Sequence, residues 1–428
     1  MTSWKEDYAR KLMSVEEAAK HINSGDKIWM SPGCSTPVDL IDAIGDRVGE
    51  LRNVDVISGL GMHALKIFQS PDYVGKINYY TIFYGAYERA YFKHGNINII
   101  AVNLSEAAET VASHYKVDTM IADVSPPDDE GYMYWGPMGN CVNGDMMGKV
   151  GKIIVQVNKY ETKINGVKCK VHVSEVDAIC ERDHKLPNVP TPVISEVDQK
   201  IANLLIPRIQ DGSTLQIGIG GLANAVGFGL KSKKDLSILT ELFTESMMTL
   251  VKQGVVSGKI LAAFSMGSDD LMEFVEQKVE MAPFSVINDP TEIAKYKNLV
   301  SINGCLMTDL TGQVCSESLG HNQYSAVGGQ MDFVKGARMA ENGQSFICLP
   351  STATVKGKVQ STIVLNLPPG QIVTTPRTEV MSIVTEYGIA DINNLSIRDR
   401  VRAMLTIAHP DFRDELQQQA VEAGLIPS

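Results

Sequence analysis

Two stretches of the chain, "SGDKIWMSPGCSTPVDLIDAIGDRV" at 24–48 and "DGSTLQIGIGGLANAVGFGLKSKKD" at 211–235, share one plan. Each runs from a glycine turn through a short strand and a glycine-containing loop into a helix. Gly25 pairs with Gly212 and Gly33 with Gly220 at a common offset. The likeness extends upstream. Ser14 and Glu17 form a capping box on a helix with the apolar face Val15, Ala18, Ala19 and Ile22; Ser195 and Asp198 are placed to cap a helix with the apolar face Val197, Ile201, Leu204 and Leu205, ended or kinked at Pro207. Downstream, "VDVISG" and "LSILTE" correspond as the next strands. The repeat predicts a duplicated α/β domain, two open sheets of mainly parallel strands packed together. In such sheets ligands bind beyond the carboxyl ends of the strands, which places Gly33, Gly220 and Glu241 at edges facing a site.

Length agrees with two domains, since 428 residues exceed what one core usually serves. Pro187, Pro190 and Pro192 forbid a continuous helix and favour an extended connection. The expected organisation is an N-terminal α/β domain over 1–186, a linker over 187–194 and a C-terminal α/β domain over 195–428 that carries Glu241.

A net charge of -11 argues against nucleic acid or an anionic membrane as partner and for small-molecule chemistry. No apolar run approaches the roughly 20 residues of a bilayer span, and the charged start lacks a signal-peptide core, so a soluble cytoplasmic protein is expected. The seven scattered cysteines contain no C-x-x-C and the eight histidines no H-E-x-x-H. Reduced buried thiols and no metal site are therefore expected. His172 alternates with valines as a strand residue does.

The loop "GIGGLA" at 218–223 admits three readings. It satisfies G-x-G-x-x-A after a strand, with Glu241 ending the next strand where a dinucleotide's ribose would be held; this is the reading of an NAD-dependent oxidoreductase. Alternatively the bare backbone N–H groups approach a phosphate or a developing oxyanion, and Glu241 attacks an acyl thioester. In the third reading the glycines only shape a tight junction and Glu241 caps the next segment of chain.

Seven motifs in order bear on the choice: "VSPPDDEGY" at 124–132, "HVSEVD" at 172–177, "DGSTLQIGIGGLANAV" at 211–226, "TEL" at 240–242, "SESLGHNQYSAVGGQMDFVKGA" at 316–337, "IVTEYGIADI" at 383–392 and "IAHPDFRDEL" at 407–416. Through them nearly the whole chain resembles the family I coenzyme A transferases of the 4-hydroxybutyrate and butyrate type, relatives of acetyl-CoA hydrolases. The resemblance implies a CoA-transferase (NagB/RpiA-like) fold. It also implies a ping-pong transfer of CoA between short-chain acids through a glutamyl-CoA thioester on Glu241. CoA is then a substrate, with no tightly bound cofactor, and a homo-oligomer is expected. By the same resemblance Gly218, Ile219, Gly220, Gly221 and Leu222 match the CoA-binding stretch, Gly328 and Gly329 a second loop, and Leu306 a further CoA contact. Hydrolysis through the same glutamate is the rival within this chemistry.

Other residues read more plainly. Glu245 is a first-turn helix acid, "VSPPDDEGY" a rigid turn, Glu386 and Tyr387 structural, His409 a helix terminator, and Met247 with Met248 core filling. Two departures from the family pattern bear on the acyl pocket: Ser246 stands where relatives often carry glycine, and the segment from Glu241 to Gly258 is short.

Overall fold

A computed structural model describes residues 3–427. The chain divides into two compact units. The first takes the described residues through Pro190 together with Ile260–Ile287; the second takes Thr191–Lys259 and the described residues from Asn288 onward. The break at Pro190 falls inside the expected linker, but the excursion Ile260–Ile287 has no counterpart in a linear division of the sequence.

The first unit is built on β1 (Lys27–Met30), β2 (Val54–Ser58), β3 (Ile77–Thr81), β4 (Ile97–Ile99), β5 (Thr119–Val124), β6 (Lys152–Val157) and β7 (Ala178–Glu181), in the order β7-β6-β5-β1-β2-β3-β4. Every pairing is parallel. Every residue of β5 is buried, as expected of a central strand covered on both faces. The second unit holds β8 (Thr214–Ile217), β9 (Leu236–Phe243), the start of β10 (Val256–Ser265), β11 (Leu299–Gly304), β12 (Gln344–Cys348), β13 (Ser382–Thr385) and β14 (Gly388–Asp391), ordered β14-β13-β12-β11-β8-β9-β10. Strands β13 through β9 run parallel, and the edge strand β14 pairs antiparallel with β13.

In each unit the first strand is central: β2, β3 and β4 lie on one side of β1, β9 and β10 lie on one side of β8, and the later strands lie on the other side. Local details repeat too: Gly25 and Gly212 take positive φ (89° and 76°), and their N–H groups bond the carbonyls of Arg52 (2.9 Å) and Lys234 (3.0 Å). Both capping boxes form, with Ser14 accepting from the Glu17 N–H and Ser195 from the Asp198 N–H. Each such cap stabilises its helix by about 1 kcal/mol.

Among the residues read as structural, Asp128 accepts from the backbone of Glu130 and Tyr132 and from the Tyr134 hydroxyl, fixing the "PPDDEGY" turn. Glu386 is structural, its carboxylate accepting from the backbone and hydroxyl of Ser351. Met247 and Met248 are buried. His409 differs from expectation: the preceding helix already stops at Ile407, and the His409 ring instead accepts from the Asp411 N–H and starts the helix Pro410–Glu422. The ring acceptor and Pro410 at the first helical position together favour initiation.

At the carboxyl ends of β5 and β6 the first unit buries Asp123 and Glu161 together. Gln156 (3.0 Å) and Asn158 (2.9 Å) donate to Asp123, and His184 Nε2 lies 3.5 Å from it. Burial pushes Asp123 up to about 8, with the charge of Asp39 adding to the rise. Burial and the neighbouring Asp123 push Glu161 well above the carboxylate range. The pair therefore holds a proton at neutral pH. Because Asp123 binds its proton more tightly folded than unfolded, its contribution to stability is complete below about pH 4 and declines as pH rises to about 8, and Glu161, shifted the same way, adds a decline of the same sign. The melting temperature should fall across that window, and Asp123→Asn should flatten the decline; equal slopes in calorimetric scans of the two proteins would show that the pair carries no shared proton.

Candidate active site

The strand order of the second unit sets up its crevice. From β8 the chain builds outward through β9 and β10, then returns to the other side of β8 with β11. The reversal lies between β8 and β11, and their carboxyl ends lead into Gly218 and Leu306. Glu241 lies near the end of β9, one strand further on. Below this edge Gln216 accepts from Ser301 Oγ (2.6 Å) and Asn303 Nδ2 (3.1 Å) and donates to Asn303 Oδ1 (3.1 Å). This buried network ties β8 to β11, and the Gly218 N–H bonds the Ile302 carbonyl at 2.8 Å.

The loop after β8 is partly exposed: Gly218, Gly220, Gly221 and Leu222 are half-buried. Gly220 has φ 102°, a conformation open to glycine. Ile219 is 64% exposed. A side chain at Gly221 would run into Asp198 Oδ2 and the Val193 carbonyl, so the glycine lets this turn approach the start of the helix Glu196–Leu205. Leu306 is half-buried and its N–H is spent on the Cys315 carbonyl.

Glu241 is half-buried, and its Oε1 accepts a 2.6 Å hydrogen bond from Asn288 Nδ2. The same nitrogen lies 3.3 Å from Asp332 Oδ2. Gly329 closes over this pair: a Cβ there would stand 1.7 Å from Glu241 Oε1 and 2.3 Å from Asn288 Nδ2. Its φ of -97° is ordinary, so the glycine is required for contact and not for conformation. Gly329 also begins the helix Gln330–Met339, whose N-terminal end favours a nearby negative charge. Burial nonetheless dominates and, after the opposing Asn288 hydrogen bond, leaves Glu241 up at about 7; Asp332 adds to the rise.

The second loop is itself pinned. The Glu317 carboxylate accepts from Thr374 Oγ1 (2.9 Å) and Gln323 Nε2 (3.0 Å), its carbonyl accepts from the Tyr324 and Ser325 N–H groups, and Gln330 Nε2 bonds Thr375 Oγ1 (3.0 Å). Of the residues singled out in the sequence, Gly329, next to Gly328, is brought directly against Glu241. Gly218–Leu222 and Leu306 are carried to the adjoining strand ends. Ser246 packs on Gly227 and shares a hydrogen bond with Thr244. Asn288 and Asp332 were missed, although "GGQMDF" contains Asp332; nothing in "VINDP" marks Asn288, which reaches Glu241 only because the excursion ends there.

A carboxylate with a raised proton affinity, an amide donor on one oxygen and a helix N-terminus above it can attack a carbonyl and stabilise the oxyanion that results. That is the equipment of an acyl-transfer enzyme. The acetyl-CoA hydrolase/transferase N-terminal domain matches residues 1–194 and the corresponding C-terminal domain residues 267–420. The chain is 35% identical over 432 residues to 4-hydroxybutyrate coenzyme A transferase of Clostridium kluyveri, covering 97% of this chain and 98% of that protein. It is 34% identical over 449 residues to butyryl-CoA:acetate CoA-transferase of Anaerostipes caccae, covering 99% and 98%. The crystal structure of RipA from Yersinia pestis aligns with a TM-score of 0.92 at 33% identity, over 99% of this chain and 100% of that one. The chain belongs to the acetyl-CoA hydrolase/transferase family, and it is an enzyme of coenzyme A chemistry, as the seven motifs implied. The dinucleotide reading of "GIGGLA" has no support in this family.

Among the described residues no group of three or more His, Cys, Asp or Glu is arranged to hold a metal ion, and no helix is long and apolar enough to cross a membrane. All seven cysteines are free thiols, and all but the half-buried Cys305 are buried.

Gly329→Ala should lower turnover by at least about 10²-fold, the scale of losing an oxyanion contact, because its methyl group would displace the Glu241 carboxylate. Steady-state rates beside a circular dichroism melt check this; a folded Gly329→Ala protein with wild-type turnover would contradict the contact.

Proposed function

We propose that the chain transfers CoA between short-chain carboxylic acids, taking butyryl-CoA or 4-hydroxybutyryl-CoA with acetate as acceptor, through a glutamyl-CoA thioester on Glu241. The observation that carries the reading is the Glu241 carboxylate held through Oε1 by Asn288 directly beneath Gly329.

In this cycle the Glu241 carboxylate attacks the thioester carbonyl and expels CoA thiolate, leaving an acyl-glutamyl anhydride. The thiolate attacks the glutamyl carbonyl, releasing the first acid and forming the glutamyl thioester. A second carboxylate attacks that thioester and frees the thiolate again, which takes the new acyl group and regenerates Glu241. No net proton is consumed. Asn288 Nδ2 donates to the oxyanion formed at the glutamyl carbonyl. The loop Gly218–Leu222, Leu306 and Gly328 bind CoA, whose remote contacts supply energy used at the reacting carbonyl. CoA is a substrate in this reading, not a resident cofactor, and the enzyme works in the cytoplasm as a homo-oligomer.

Mass spectrometry of the protein mixed with acetyl-CoA alone should show a CoA-sized adduct on the peptide bearing Glu241, absent from Glu241→Gln. Free CoA accumulating without an acceptor acid would assign the hydrolase activity instead; neither adduct nor free CoA with several acyl-CoAs would remove Glu241 as nucleophile. Because the carboxylate is the reactive form, kcat/KM should rise with pH through about 7 and level off above it. A profile flat from pH 5 to 8 would contradict that protonation state.

A further inference from the structure

The Asn288 side chain is wholly buried, and its two ends have opposite polarity: Nδ2 donates and Oδ1 accepts. Only the nitrogen end is useful against a carboxylate or an oxyanion. The side chain's shape does not choose between the ends, so its hydrogen bonds must. Those bonds lie on one side. Nδ2 is placed between Glu241 Oε1 at 2.6 Å and Asp332 Oδ2 at 3.3 Å, whereas Oδ1 is buried with no hydrogen-bond partner. A buried amide oxygen left unpaired is costly, and rotation of the amide is the obvious relief. Two carboxylates on the nitrogen side oppose that rotation.

They do not persist equally through the reaction. Once Glu241 carries an acyl group or CoA it is neutral and a weaker acceptor, so its hold on the amide loosens at the stage when an oxyanion donor is needed. Asp332 keeps its place, being 2% exposed in the first turn of the helix Gln330–Met339.

We propose that Asp332 is a positioning residue for acyl transfer: by accepting from the second N–H of Asn288 it keeps the amide nitrogen turned toward residue 241 throughout the cycle. The inference rests on Glu241 as the nucleophile. Asp332 touches neither acid nor CoA in this role, which it exerts through Asn288, and so its loss should affect turnover more than substrate binding.

The test is a double-mutant cycle with butyryl-CoA and acetate, using Asp332→Ala, Asn288→Ala and the double variant. Asp332→Ala should lower kcat about 10- to 100-fold, below or near the loss of one oxyanion donor, with KM for acyl-CoA within about threefold of wild type. The double variant should be no slower than Asn288→Ala alone, because the second loss has nothing left to act through. Asp332→Asn, which keeps the shape and removes the charge, should move the acid limb of kcat/KM to lower pH. That readout is one a purely structural residue would not move, and it stands even where the alanine variant fails to fold. Wild-type kcat in Asp332→Ala, penalties that multiply in the double variant, or an unmoved acid limb in Asp332→Asn would each overturn the role. The adduct experiment on wild-type protein separates the two levels: an adduct on Glu241 with an unaffected Asp332 variant rejects Asp332 alone, and no adduct rejects both.

Discussion

One hydrogen bond, from Asn288 Nδ2 to Glu241 Oε1 at 2.6 Å, joins parts of the chain that sequence keeps far apart. The strand end that carries Glu241, the residue just after the excursion Ile260–Ile287 and the helix opened by Gly329 all converge on it. A hydrogen bond to a charged group contributes about 1.5–3 kcal/mol, while desolvating a carboxylate costs several. The outcome is a carboxylate with a proton affinity near neutrality. Such a group is a better nucleophile toward a thioester than a fully solvated glutamate, yet it remains largely ionised in mildly alkaline solution.

The two units meet the same topological situation with different electrostatics. Each gathers polar side chains at the carboxyl edge where its strand order reverses. The first unit buries Asp123 with Glu161 and raises the proton affinity of both, so the pair keeps a proton at neutral pH. The second leaves Glu241 partly open and gives it a donor instead of a shared proton. The edge occurs in both units, and Glu241, the proposed nucleophile, lies on the second.

Much of this was legible in the sequence because it depends on local patterns. Capping boxes, paired glycines and short apolar strands announced both sheets, and the order of the motifs led to the family. Gly329 could be singled out through "VGGQ". The reason for it could not, since its φ is unremarkable and the constraint is an atom of Glu241 lying where its Cβ would be. Asn288 carries no local signal, and Asp332 lies inside a quoted motif that does not single it out: a buried asparagine and a first-turn aspartate are ordinary residues until the fold sets one between two carboxylates. His409 failed for a related reason, its ring being an acceptor for the helix after it and not a stop for the one before.

The excursion Ile260–Ile287 also bears on how the chain acquires its structure. The second unit is synthesised in two instalments separated by residues that settle with the first. While β9 is already complete, Glu241 must wait for Asn288 and then for the turn at Gly329 before its surroundings exist. Before that burial and the Asn288 hydrogen bond exist, Glu241 has the proton affinity of an ordinary solvated acid; in the finished unit it is raised to about 7. Glu241, the proposed nucleophile, thus takes its surroundings from residues later in the chain, and no contiguous piece of the chain beginning at the linker contains the second unit without also carrying part of the first.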